Sequence, residues 1–332
     1  MGFFMGNLDT VQKAQKINCN FKGKDILSLD QFSPEDLEIL FSLTRKMKIM
    51  ESKGKTSDIL AKKMLTLIFY EPSSRTFGSF CAAIKKLGGQ TVEIQNPTQV
   101  SSVAKGETLE DTIRVFEAYS DAIIIRHPIA GTAKAASDAA FFIPIINAGD
   151  GTGEHPTQAL LDLFTIKEQF HALKNLTVLF AGDMLNGRTV HSVLRGLSLF
   201  KGNSVYLLSP PSLRLTRADF TMFSQRGLKL IEINHESQIP KEVHVWYWTR
   251  VQKERFSDLK EYEKLKNTFT VTKKLLEKYA NKNMILMHPL PRVGEIDREV
   301  DKDPRALYFR SEIRNGMYTR MALLALVLGK IS

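Results

Sequence analysis

The chain has 332 residues, 43% of them hydrophobic and 25% charged, enough for a sizeable core divided between two domains of roughly 100–200 residues each. No apolar run approaches the ~20 residues that span a bilayer. The N-terminal MGFFMGNLDTVQKAQ lacks the basic start and long apolar stretch of a secretory signal, and Gly6 stands where a myristoylation motif needs Ser or Thr. Cys19 and Cys81 alone make neither a disulfide framework nor a metal cluster, which fits a reducing cytoplasm. A net charge of +10 fits either a nucleic-acid-binding stripe or a site that attracts small anions. The lysines are scattered and no aromatic-interleaved basic motif occurs, which favours the anions and argues against nucleic acid.

Residues 1–20 are weakly patterned and read as a flexible leader. Ser33-Pro34-Glu35-Asp36 is a helix start, with a Ser cap, Pro in the first turn and acidic residues behind it; the helix runs to about Met50. Met64–Tyr70 is an apolar run without helical spacing, hence a buried strand, broken by Glu71-Pro72. Phe77, Phe80, Ile84 and Leu87 then recur at helical intervals up to the Gly88-Gly89 stop. Ser73, Ser74, Arg75 and Thr76 therefore sit at a helix N-terminus. Free N–H groups, the dipole and a guanidinium there suit a phosphate, although a Ser cap beside a solvated Arg would spell the same letters. It is not a Walker A loop.

Thr91–Ile94 reads as a strand and Gln99–Gly106 as a loop, either a surface loop or one whose Ser101, Ser102 and Lys105 reach a phosphate. Thr108 caps the next helix, with Asp111 three residues on. Asp121–Ile125 and Phe142–Ile146 read as strands ending in Arg126-His127-Pro128 and in Asn147-Ala148-Gly149. Ligands of open α/β sheets bind beyond the carboxyl ends of strands, where Arg75 and Arg126 also fall. Pro156-Thr157-Gln158 opens a helix to Phe170; His155 and Gln158 share its first turn, and His155 serves either to cap the helix or to face a ligand.

A second alternation follows. Leu176–Ala181 is a strand, and Gly187-Arg188-Thr189-Val190-His191 enters a helix with no G-x-G-x-x-G, which argues against a nicotinamide cofactor. Strands follow at Val205–Leu208, Leu228–Ile233 and Val243–Trp248, the last leading to Thr249-Arg250-Val251-Gln252-Lys253-Glu254-Arg255. That charged cluster taken alone is a solvated helix start. Met284–Met287 ends in His288-Pro289-Leu290-Pro291-Arg292, a rigid bend that leaves its carbonyls free, and Tyr318–Leu328 is a final apolar helix. The pattern predicts an α/β protein of two doubly wound domains, each with a central parallel sheet, and an active site in the inter-domain cleft.

Seven motifs in this order, SSRT, SSVAKGET, RHP, HPTQ, GRTVH, TRVQKER and HPLPR, resemble the aspartate carbamoyltransferase family of pyrimidine biosynthesis, from about Phe21 to the C-terminus. The resemblance implies a carbamoyl-phosphate domain at 21–156, a linking helix at 157–172, an aspartate domain at 173–310, and a last helix, 311–332, that packs back on the first domain. It implies a phosphate held by Ser73, Ser74, Arg75 and Thr76, with Ser101 and Lys105 supplied by the neighbouring subunit of a homotrimer. Arg126, His155 and Thr76 would stabilise the carbamoyl oxygen, Gln158 would hold the carbamoyl NH2, and the carbonyls of Pro289 and Leu290 would orient the amino groups. Arg188, Arg250 and Gln252, with Lys105 and Leu290, would hold L-aspartate. The amine would attack carbamoyl phosphate directly, with neither metal nor cofactor; a regulatory chain or larger complex is compatible with the family. Ala104 departs from the spelling of relatives in the loop that bears on phosphate affinity, and Leu185-Asn186 departs in a region that tunes closure and regulation, so regulation does not carry over. An ornithine carbamoyltransferase would place a neutral or acidic pocket where Arg250-Val251-Gln252 stands. A non-catalytic anion-binding homologue would lack one of the ligands just named.

Overall fold

The computed structural model describes residues 15–55, 57–256 and 258–331. Most of the leader expected over 1–20 lies outside them; within residues 15–20, Ile17 is fully buried and its N–H bonds the Gln31 carbonyl, so chain packing begins before Phe21. Helix α1 (Pro34–Ser52) opens on a reciprocal capping box, Asp36 N–H to Ser33 Oγ at 3.2 Å and Ser33 N–H to Asp36 Oδ2 at 2.7 Å.

The first sheet contains β1 (Met64–Phe69), β2 (Gln90–Gln95), β3 (Ala122–His127) and β4 (Ile145–Asp150), all parallel, in the order β2-β1-β3-β4. Around it lie α2 (Ser74–Lys86), the short α3 (Pro97–Val100), α4 (Leu109–Glu117) and α5 (Thr132–Ala139). α4 starts as expected, with Asp111 N–H bound to Thr108 Oγ1. The expected loop 99–106 contains helical turns instead, α3 and a 3-10 turn at Ser102–Lys105, the latter capped by Ser101.

The strand expected over Phe142–Ile146 is displaced. It begins at Ile145 and carries Asn147, Ala148, Gly149 and Asp150 inside it. The N–H groups of Phe141, Phe142 and Ile143 converge on the Glu117 carboxylate, a side-chain substitute for ladder pairing that holds this segment as a turn. Phe142 is consequently 87% exposed.

Helix α6 (Pro156–Phe170) leads into the second sheet, formed by β5 (Thr177–Ala181), β6 (Ser204–Leu208), β7 (Lys229–Ile233), β8 (Val245–Trp248) and β9 (Ile285–Met287), again parallel, in the order β7-β6-β5-β8-β9. With it go α7 (Arg188–Leu197), α8 (Arg217–Gln225), α9 (Leu259–Leu265) and α10 (Lys273–Tyr279). Trp246 and Trp248 are packing residues, both fully buried with rings 5.6 Å apart. A π-helical turn, Tyr308–Glu312, leads into α11 (Ile313–Val327), which packs on α1, α2 and α6. Among the described residues no helix is long and apolar enough to cross a membrane.

Each sheet reverses its winding once, between β1 and β3 and between β5 and β8. The carboxyl ends at both reversals open onto one cleft, the position at which parallel sheets leave a crevice unfilled by helices.

Candidate active site

The cleft has a volume of about 300 Å³. From the first domain, β1 delivers Glu71 and Pro72, and α2 begins immediately behind them. The N-cap Ser73 makes no side-chain capping bond, so the hydroxyl and the first N–H groups of α2 remain available to a ligand. Ser73, Arg75 and Thr76 line the cleft; Ser74 is not part of its lining. Arg75 has no hydrogen bond or ion pair among the described residues. Its pKa is lowered by burial and by Arg250 nearby, the signature of a cation short of a counter-charge.

Arg126 comes from the end of β3 and is 7% exposed. One guanidinium nitrogen donates to the Ala148 carbonyl at 3.0 Å, another meets Glu71 at 2.6 Å, and Nε has no partner. Burial and the neighbouring Arg188 bring its pKa down to about 10, still well above neutrality. Arg188, at the first turn of α7, reaches across from the second domain to Glu71 at 3.1 Å and to the Gly151 carbonyl at 2.7 Å. One carboxylate thus bridges two guanidiniums from different domains. Gly149 makes this approach possible: with φ +115°, it leaves room where a Cβ would stand 2.8 Å from Arg126 Nη1.

His155 is the N-cap of α6, 4% exposed, with Nδ1 unpartnered. Its pKa is pushed well below the usual imidazole range, first by burial and then by Arg126, Arg188 and Arg320, so it stands neutral at physiological pH. Gln158, one turn on, lines the same cleft and anchors its amide to Asp162 at 3.0 Å.

From the second domain, β8 delivers Thr249 and Arg250. Arg250 pairs with Glu254 at 3.0 Å, and Gln252 donates to the Asn186 carbonyl at 2.8 Å. The bend after β9 is fixed by a buried histidine. His288 Nδ1 accepts the Leu290 N–H at 2.8 Å, which leaves Nε2 to donate to Glu295 at 2.7 Å. Leu290 is held at φ +56°, and Pro289 and Leu290 face the cleft.

The fold therefore gathers Ser73, Arg75, Thr76, Arg126, His155, Gln158, Arg188, Arg250, Gln252, Pro289 and Leu290 around one cavity from sequence-distant segments. Ser101 and Lys105, on the turns after β2, do not line it. Sequence reading missed Glu71, taken only as a strand breaker, and Arg320, which lies on a helix whose apolar spacing marks it as core. Arg320 is 3% exposed, donates to Ser79 at 3.0 Å and leaves Nε unpartnered. A basic cleft with unpartnered nitrogens on Arg126, His155 and Arg320 can bind an anion and stabilise negative charge that develops on an oxygen.

Residues 24–168 match the carbamoyl-P binding domain of the aspartate/ornithine carbamoyltransferases, and residues 174–327 match their Asp/Orn binding domain. The chain belongs to the aspartate/ornithine carbamoyltransferase family. A multifunctional protein of Dictyostelium discoideum is 47% identical over 97% of this chain, which spans 14% of that protein's length. An aspartate carbamoyltransferase catalytic subunit of Methanothrix thermoacetophila is 44% identical over 92% of this chain and 99% of its own. The crystal structure of aspartate transcarbamoylase from Trypanosoma cruzi in complex with carbamoyl phosphate and aspartate aligns with a TM-score of 0.86 at 38% identity, covering 95% of this chain and 100% of that one. The two matched domains meet at the cleft described above.

Proposed function

We propose that this carbamoyltransferase uses L-aspartate as acceptor, forming N-carbamoyl-L-aspartate and phosphate from carbamoyl phosphate in pyrimidine biosynthesis. The observation that carries the reading is the convergence of Arg75, Arg126, Arg188 and Arg250 on one cleft, a charge suited to a phosphate and a dicarboxylate together. Ornithine would bring a cation into that field. Support also comes from the relatives named aspartate carbamoyltransferase and from the Trypanosoma cruzi structure with carbamoyl phosphate and aspartate.

In this reading Ser73, Ser74, Arg75 and Thr76 hold the phosphate at the α2 N-terminus, with Ser101 and Lys105 of a neighbouring subunit completing the site in a homotrimer. Arg126, neutral His155 and Thr76 donate to the carbamoyl oxygen. As the neutral amine attacks the carbamoyl carbon, charge grows on that oxygen; the C–O bond to phosphate then breaks, and phosphate leaves with the electron pair and takes up the proton that the amine nitrogen gives up. Arg188, Arg250 and Gln252 hold the two carboxylates of aspartate, exchanging Glu71 and Glu254 for substrate. Residues 21–156 are assigned to carbamoyl phosphate and 173–310 to aspartate, joined by 157–172 and tied back by 311–332. No proton donor or nucleophile on the protein is needed, so rate comes from positioning and fixed charge.

The test is calorimetric titration with N-(phosphonacetyl)-L-aspartic acid, the ligand of another Trypanosoma cruzi structure. Binding that weakens in both Arg126→Ala and Arg250→Ala is expected. Absence of binding to the wild type would overturn the reading.

A further inference from the structure

Under the cleft floor lies a group of buried polar side chains that the proposed chemistry leaves unused. Asp162 is fully buried and Glu312 is 2% exposed. Asp162 accepts from Gln158 Nε2 at 3.0 Å on Oδ1 and from the Tyr247 hydroxyl at 2.8 Å on Oδ2. Glu312 accepts the His288 N–H at 3.2 Å on Oε2, while no N–H or hydroxyl reaches its buried Oε1. The two carboxyls act on each other in this buried pocket. Two ionised carboxylates would repel there and neither has a hydrogen to give, so Glu312 Oε1 finds a partner in Asp162 only if a proton stands between them.

Charge balance gives the same count. Arg320 is the guanidinium facing Asp162, and it is buried with it. One carboxylate compensates one cation; a second would stand as a buried charge without a partner. Both oxygens of Asp162 already accept hydrogen bonds, which places the proton on Glu312. Glu312 arrives through the π-helical turn Tyr308–Glu312, whose widened pitch brings it under the cleft that it lines.

We propose that Asp162 and Glu312 hold one proton between them, carried on Glu312 Oε1, and that the Asp162 carboxylate is a positioning group that turns Gln158 oxygen-first into the cleft. A carboxylate only accepts, so it must face the Gln158 NH2. The amide oxygen is then the end left for substrate, an acceptor for the carbamoyl NH2; this role rests on the carbamoyl-transfer reading above. The other groups facing the pair are the Tyr247 hydroxyl from β8, with Thr189 of α7 beside it, the Arg320 guanidinium from α11 and the His288 N–H from the bend after β9. Burial, the largest influence on both carboxyls, raises their pKa, in keeping with a retained proton.

Two measurements on the full chain test this. Infrared spectroscopy at neutral pH should show the carbonyl absorption of a buried protonated carboxyl in the wild type, lost in Glu312→Gln; its absence from the wild type overturns the shared proton. Glu312→Ala should lower kcat at least about tenfold, and Glu312→Gln, whose amide still donates to Asp162, should recover most of that loss. A Gln variant as slow as the Ala variant, or an Ala variant as fast as the wild type, overturns the positioning role. Thermal unfolding is followed alongside; if Glu312→Ala does not fold, Asp162→Asn replaces it, with a comparable kcat loss expected because its amide cannot accept from both Gln158 and Tyr247. A wild type that carbamoylates nothing defeats the carbamoyl-transfer reading, while the infrared arm still decides the proton.

Discussion

Arg126 is held by the Ala148 carbonyl and Glu71 but keeps Nε unpartnered inside a buried wall. Such a donor gives most when negative charge develops beside it. Arg126→Ala is therefore expected to cost ~10²–10³ in kcat, measured by product formation at saturating substrates. His155 gives a pH prediction with a definite sign. Its folded pKa is depressed by burial and three guanidiniums, whereas in the unfolded chain it titrates near ~6.5. Below that pH the unfolded state takes up a proton that the folded state refuses, so the histidine costs stability as pH falls. Denaturant unfolding of wild type and His155→Gln should diverge below about pH 6.5, with the wild type losing more.

The residue scale also shows what a sequence conceals. Arg75 and Arg126 were legible as cleft residues because each lies at a strand end, where the fold class itself puts ligands, whereas Arg188 and Arg250 came from the family resemblance, since the cluster at Arg250 taken alone reads as a solvated helix start. Arg320 was not legible, since its neighbours Met321, Ala322, Leu323 and Leu324 are all fully buried and periodicity cannot separate a cleft-lining cation from a core position. Glu71 follows a strand end too, but its role depends on Arg188 of the other domain, a partner that no local pattern reveals.

Among elements, β1, β3, β5 and β8 were readable from short, near-continuous apolar runs of the kind that strands buried on both faces carry. β4 was misplaced because its second half is Asn147, Ala148, Gly149 and Asp150, whose polar atoms are satisfied by Leu27, Gly131 and Glu154 through space. Gly182 closes β5 at φ +116°, where a Cβ would lie 2.2 Å from the Thr249 carbonyl. Gly182→Ala must push β8's end, and Arg250 with it, away from the cleft. The expected result is a lowered melting temperature and a raised KM for aspartate. Gly227→Ala, at φ +93° but with nothing within 4 Å, should cost only ~1 kcal/mol and leave KM alone.

For the whole molecule, the arrangement of two parallel sheets with opposed switch points explains why side chains from both domains meet at one cleft. Ser101 and Lys105 lie outside the cleft lining, on their own turns after β2. If they complete a neighbour's site, Lys105→Ala and Arg126→Ala subunits, each inactive alone, should regain part of the wild-type rate when dissociated and reassembled together; mixtures that stay inactive would count against shared sites.

The central claim is most directly tested by product formation. Purified protein with carbamoyl phosphate should yield the ureido product from L-aspartate and none from L-ornithine. Turnover of ornithine, or of neither amino acid at millimolar concentration, would contradict the account.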